Sequence, residues 1–325
     1  MIESVLLFFS VILLLMAGFP VAFTLGGVAL IFAGLGLLTG NFDPGYLNAL
    51  PSRLLGTMTN ETLMAVPLFI FMGITLEKAK IAEDLLENMS VLFGNFRGGL
   101  AISVILVGML LAASTGIVGA TVVTMGLLSL PLMMRKGYSS SLSTGVIAAS
   151  GTLGQIIPPS IILILLGDVM GVPVGRLFVG SIVPGLLLVT LFMVYILIYA
   201  WHKPSVGPAF NSKDDNLDFI DLIKTILPPF TLILAVLGSI FFGIATPTES
   251  AAVGSIGALL LAIFHKKLTI SNFKDSMQQT TKLTSMVFMI LIGATAFGLV
   301  FRGMGGDRLV LDVMANLPAG VWGFL

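Results

Sequence analysis

The chain contains no cysteine, which excludes disulfide frameworks, thiolate zinc sites, iron–sulfur clusters and cysteine nucleophiles. It has only two histidines, His202 and His265, too few for a histidine-rich metal centre, so any bound ion is expected to be held by oxygen atoms. Charge is scarce as well: 10% of the 325 residues are Asp, Glu, Lys or Arg, sixteen of each sign. That balance offers neither the basic footprint of a nucleic-acid binder nor a polyanionic tail, and it excludes DNA and RNA as partners. The first residues lack the positive region and small-residue cleavage pattern of a removable signal peptide, so the opening apolar run reads as a retained span. Nothing resembles a P-loop, a G-x-S-x-G elbow or a paired-carboxylate arrangement, and an enzyme is not expected.

What the chain has in abundance is apolar surface: 57% hydrophobic residues and a mean hydropathy of +1.08. This places most of it in a lipid bilayer. Leu, Ile, Met, Ala and Gly run continuously without the two-residue alternation of outer-membrane strands, so the expected fold is an all-α polytopic bundle. Runs near the spanning length fall at about 4–18, 20–38, 62–79, 99–134, 141–167, 175–200, 226–245, 248–264 and 283–301. Amphipathic pieces between them, at 47–55, 79–93, 217–226 and 273–283, are expected to lie along the membrane interface.

The 36-residue run 99–134 is interrupted by Ala113-Ser114-Thr115-Gly116, leaving halves of about 24 Å that are short for two crossings. A re-entrant hairpin with its tip at Ser114, Thr115 and Gly116 fits better, and Thr121 and Thr124 continue its polar trace. Two crossings would leave the topology unchanged. Counting spans in this way puts twelve Lys and Arg residues on one side and only Arg53, Arg176, Arg302 and Arg308 on the other, which makes the first side cytoplasmic.

The chain also resembles itself. Ile70-Phe-Met-Gly-Ile-Thr75 matches Leu291-Ile-Gly-Ala-Thr295 with Gly73 over Gly293, an offset of 220, and Pro20 with its small-residue helix matches Pro247 with another, an offset of 227. The paired prolines lie on opposite sides of the membrane in this topology, as in the inverted repeats of secondary transporters. The expected division is a first repeat over 1–200, a cytoplasmic connector over 201–225 and an incomplete second repeat over 226–325. A complete second copy would need about 100 further residues, so the sequence reads as a fragment or a truncated form.

Chemistry is expected where the run 141–167 carries Pro158 and Pro159, which remove two amide donors and force a helix break. A break frees carbonyls at the end of one half and amides at the start of the next, which suit a cation and an anion respectively. Ser150, Thr152, Gln155 and Ser160 add side-chain polar groups, and Gly151 and Gly154 allow close backbone approach. A proline kink used only for packing is the alternative, as small residues at a helix crossing are for the hairpin tip. Thr246-Pro-Thr-Glu249 reads as a capping box, with Glu249 reaching back to the cap amide.

Taken together, Pro67-Leu-Phe-Ile-Phe-Met-Gly73, the Ala-Ser-Thr-Gly hairpin, Leu153-Gly-Gln-Ile-Ile-Pro-Pro-Ser160 and Thr246-Pro-Thr-Glu-Ser-Ala-Ala252 resemble the large membrane (DctM-type) subunit of tripartite ATP-independent periplasmic (TRAP) transporters. The resemblance implies a sodium-driven elevator in a bacterial or archaeal cytoplasmic membrane, with no cofactor beyond the coupling Na+. It implies an organic-acid substrate, such as a C4-dicarboxylate or sialic acid, delivered by a periplasmic binding protein, and a small four-helix membrane subunit as a separate chain. Carried to matching positions, the cation site would use Ser114, Thr115, Gly116, Ser150, Thr152 and Gly154, with Pro158, Pro159 and Ser160 facing the substrate. The competing expectation is a non-transporting membrane subunit, or an inactive truncated relative, acting only in assembly.

Overall fold

The computed structural model describes residues 2–115, 118–209 and 219–315. The chain opens with α1 (Ile2–Met16) and α2 (Val21–Thr39), followed by short α3 (Gly45–Asn48) and α4 (Leu50–Met58). Next come α5 (Ala65–Lys78), α6 (Ile81–Phe93), α7 (Gly99–Thr115) and α8 (Val118–Arg135). Helix α9 (Ser140–Thr152) tightens into a 3-10 turn, Leu153–Gln155, before α10 (Ile161–Met170). Then follow α11 (Val174–His202), α12 (Phe219–Phe241), α13 (Pro247–Phe264), α14 (Ile270–Gly303) and α15 (Gly306–Ala315). Every regular element among the described residues is helical, and α2, α11, α13 and α14 are each long and apolar enough to cross a bilayer. The protein is an all-α polytopic membrane protein.

The helix ends follow local chemistry. Helix α2 stops at Gly40, whose φ of 75° suits a residue without a Cβ and whose amide turns back to Gly36 O and Leu37 O. At the start of α13 the expected capping box forms: Thr246 Oγ1 accepts from the Glu249 amide at 3.3 Å, and Glu249 Oε2 accepts from the Thr246 amide at 2.8 Å. Two of the expected interfacial pieces do not stand apart. Residues 219–226 are the opening turns of α12, and 273–283 lie within the 34-residue α14. No proline interrupts α14, and Thr280, Thr281 and Thr295 donate within the helix, to Ser276 O, Met277 O and Leu291 O.

The chain divides into two compact units, residues 1–60 with 282–325, and residues 61–281. In the first, α2 and α14 run side by side in parallel. Gly26 lies beside Gly293, Gly36 beside Met304, and a Cβ on Gly293 would fall 2.4 Å from Ala22 O. Around this seam Leu7, Ala29, Ala33, Phe42, Val300 and Met304 form a buried cluster.

In the second unit α5 and α13 are the parallel pair. Thr248 Oγ1 donates to Glu61 O at 2.7 Å and Ser255 Oγ to Leu68 O at 2.8 Å, and a Cβ on Gly254 would meet Met72 Sδ at 2.7 Å. Helix α6 packs on α7, with Leu85 and Leu86 buried and Ser103 Oγ donating to Met89 O at 2.7 Å. One end of this unit gathers three loops: the Gly98 amide donates to Gly207 O at 2.9 Å and the Ser139 amide to Val206 O at 3.0 Å. These loops carry Arg97, Lys136 and Lys203, so residues assigned to the cytoplasmic side by charge counting do share one end. Here Tyr138 is buried and its hydroxyl oxygen accepts from the Leu100 amide at 3.1 Å; burial raises its pKa against the lowering effect of that bond.

Candidate functional site: a hairpin around a broken helix

Helices α7 and α8 pack on each other as a hairpin, and α9 packs against both. Helix α7 is described to Thr115 and α8 from Val118. Ser114 and Thr115 are therefore the last backbone residues of α7, while their side chains, and all of Gly116, lie outside the described residues.

The other predicted residues are on view. Ser150 is fully buried, and its Oγ donates to Ile147 O at 2.9 Å. Gly108 of α7 faces it so closely that a Cβ there would sit 2.5 Å from Ser150 Cβ. Gly151 presses on the other arm, where a Cβ would fall 2.2 Å from Val122 Cγ2 and 3.1 Å from the Val122 amide nitrogen. Consecutive residues of α9 thus wedge between the two arms, and the glycines are what permit it. Thr152 is exposed with its Oγ1 donating to Ala149 O at 2.8 Å, and buried Gly154 lies in the 3-10 turn.

The helix breaks at the expected place. The amides of Ile156 and Ile157 both turn back to Leu153 O, at 3.1 and 2.9 Å, and the buried prolines that follow, joined by a cis peptide bond, donate nothing. Ser160 bridges the gap. Its Oγ donates to Gln155 O at 2.8 Å, replacing the amide that Pro159 lacks, and accepts from the Leu163 amide at 3.4 Å as the N-cap of α10. A fully buried hydroxyl so engaged is a structural clasp across the break. The 3-10 turn itself packs against α7, α8 and α10.

The structure therefore brings Ser150, Gly151 and Gly154 together with the hairpin arms, while the hydroxyl of Ser160 is turned to its own backbone. The arrangement offers backbone carbonyls, hydroxyl oxygens and two helix ends of opposite partial charge. One acidic group was not anticipated. Glu77, at the end of α5, accepts from Thr124 Oγ1 of α8 at 2.7 Å. Sequence reading passes over it because Lys78 and Lys80 beside it look like an ordinary interfacial cluster. Thr75 is 3% exposed and its hydroxyl has no partner among the described residues, a second feature with no signal beyond the Gly-x-Thr repeated at 293–295.

A helical hairpin packed around an interrupted helix, within a bundle of apolar helices, is an arrangement found in membrane transport proteins. The chain belongs to the family described as the tripartite ATP-independent periplasmic transporter, DctM component, which it matches over residues 8–325. It is 32% identical over 285 residues to the C4-dicarboxylate TRAP transporter large permease protein DctM of Pseudomonas aeruginosa, covering 87% of this chain and 66% of that protein. Against the sialic acid TRAP transporter large permease protein SiaM of Vibrio cholerae it is 32% identical over 319 residues, 94% of this chain and 72% of the relative. The ectoine TRAP transporter large permease protein TeaC of Halomonas elongata is 29% identical over 313 residues, 96% and 72% of the two chains. The chain thus spans about two-thirds of the length of these relatives.

Proposed function

We propose that this chain is a permease subunit of a sodium-coupled secondary transporter that carries an organic acid, handed over by a periplasmic binding protein, across a cytoplasmic membrane. The observation that carries this reading is the seating of the broken helix: Ser150 and Gly151 wedge between the hairpin arms beside the Pro158-Pro159 break. A site built only from carbonyls, hydroxyls and helix ends suits a hard monovalent cation, with an anion at the start of the second half-helix. Ser114, Thr115, Gly116, Ser150, Thr152 and Gly154 are the residues we assign to sodium, and the segment Pro158 to Ser160 shapes the substrate side. Relatives named for C4-dicarboxylates, sialic acid and ectoine have carboxylate substrates and another is named for isethionate, a sulfonate, so the family narrows the substrate to a small organic acid.

Inverted repeats that exchange helices also support the reading. Under the offsets of 220 and 227, Met72 and Gly254 correspond to Ile292 and Gly27, immediate neighbours of the observed Gly293 and Gly26 contact. Each unit so holds one parallel pair with its close approach at an equivalent level, as two intertwined copies require. Such copies form a scaffold against which a transport domain moves as an elevator. The test is uptake of a radiolabelled C4-dicarboxylate or sialic acid into liposomes holding the chain, a small four-helix subunit and a cognate binding protein. Uptake that rises with an inward sodium gradient is expected. Uptake indifferent to sodium, in potassium buffer without a proton gradient, would remove the coupling from the proposal.

A further inference from the structure

Glu77 ends an apolar helix against a hairpin whose facing surface is neutral. Thr124, its hydrogen-bond partner, stands eleven residues before Arg135 on α8, about 16 Å along the axis and about three whole turns, so the two occupy one face. Between them that face carries Leu127, which is 73% exposed, with Leu128 and exposed Pro131. This track is apolar and largely uncovered. Arg135 at its end is exposed, donates its Nε to Pro131 O at 3.3 Å and has no carboxylate partner among the described residues. Lys80 is held by Glu83 at 3.0 Å, which leaves Thr124 as the partner of Glu77.

The parallel run of α5 and α13 sets the level of this contact. Glu61 meets Thr248 and Leu68 meets Ser255, so the end of α5 lies level with the end of α13, where His265, Lys266 and Lys267 follow. From Thr124, which meets Glu77, α8 has eleven residues, about 16 Å, still to run before its basic terminus at Arg135. We propose that this is one of two registers of the hairpin against α5, and that when the hairpin slides back by three turns Arg135 replaces Thr124 beneath Glu77. A half-buried carboxylate needs a donor in each position: a hydroxyl serves in one and a guanidinium in the other, whereas Leu127, Leu128 and Pro131 offer none between. Glu77 is thus a positioning residue that makes the two ends of the stroke stable and its middle unfavourable. The inference rests on the sliding transport domain proposed above.

Because the natural chain is free of cysteine, paired substitutions read this directly. In membranes holding the assembled system, Glu77→Cys is combined with Thr124→Cys, with Arg135→Cys, or with Met134→Cys as a control on the neighbouring face, and a short thiol cross-linker is added. Both the 124 and 135 pairs should link several-fold more than the control, and changing sodium or substrate should move their yields in opposite directions. A 135 pair that links no better than the control overturns the exchange, even where sodium-driven uptake is intact. Absent uptake with both pairs linking would instead support the exchange and count against the transport reading. Arg135→Gln, which leaves the Thr124 contact in place, should slow uptake several-fold while Arg135→Lys retains it; equal rates in the two also overturn the proposal.

Discussion

At the scale of single residues, the polar groups in the broken helix fall into two kinds. Ser160 spends both its donor and an acceptor on the chain around it, whereas exposed Thr152 donates to Ala149 O and keeps its oxygen lone pairs outward. Ser160→Ala should therefore lower thermal stability in detergent by about 1 kcal/mol, a normal N-cap loss. Thr152→Val should leave stability and abundance alone and weaken sodium activation of uptake; an unchanged sodium dependence would count against its place in the cation site. Tyr138 gives a pH prediction. Its folded-state pKa is raised, so the folded chain holds that proton more tightly than the unfolded one. The resulting stability is full below the ordinary tyrosine value of 10.0 and is lost as pH climbs through the raised value. Thermal unfolding in detergent should show an alkaline fall that Tyr138→Phe flattens.

At the scale of elements, Pro158 and Pro159 keep α9 and α10 apart because each would cost about 3 kcal/mol inside a continuous helix. Pro158→Ala with Pro159→Ala should let the segment close toward a continuous helix, giving a protein that inserts normally and is at least as heat-stable but fails to transport. A stable and fully active double variant would show that the interruption serves packing alone. The break and the Thr246 capping box were legible in the sequence because each rests on local backbone chemistry: a missing amide, and a donor and acceptor three positions apart. The length of α14 was not, since the polar stretch Gln278 to Ser285 looks like a boundary until Thr280 and Thr281 are seen to bond within the helix. Glu77 was illegible for a different reason. Its partner Thr124 is far away in sequence, and only the packing of α5 beside the hairpin joins them.

At the scale of the molecule, the gathering of Arg97, Lys136 and Lys203 at one end of the second unit agrees with the twelve-to-four charge count. A cysteine at Lys203 should resist an impermeant thiol reagent added to whole cells, while one at Arg176 reacts; labelling at position 203 alone would invert the topology. The pairing of α2 with α14 has a consequence for biosynthesis. Gly26 leaves the ribosome roughly 270 residues before Gly293, which at about 5–20 residues per second is a delay of tens of seconds. Through that interval α2 sits in the bilayer with its glycine seam unmatched, exposed to other helices and to membrane proteases. Assembly of this unit therefore waits on the synthesis of α14.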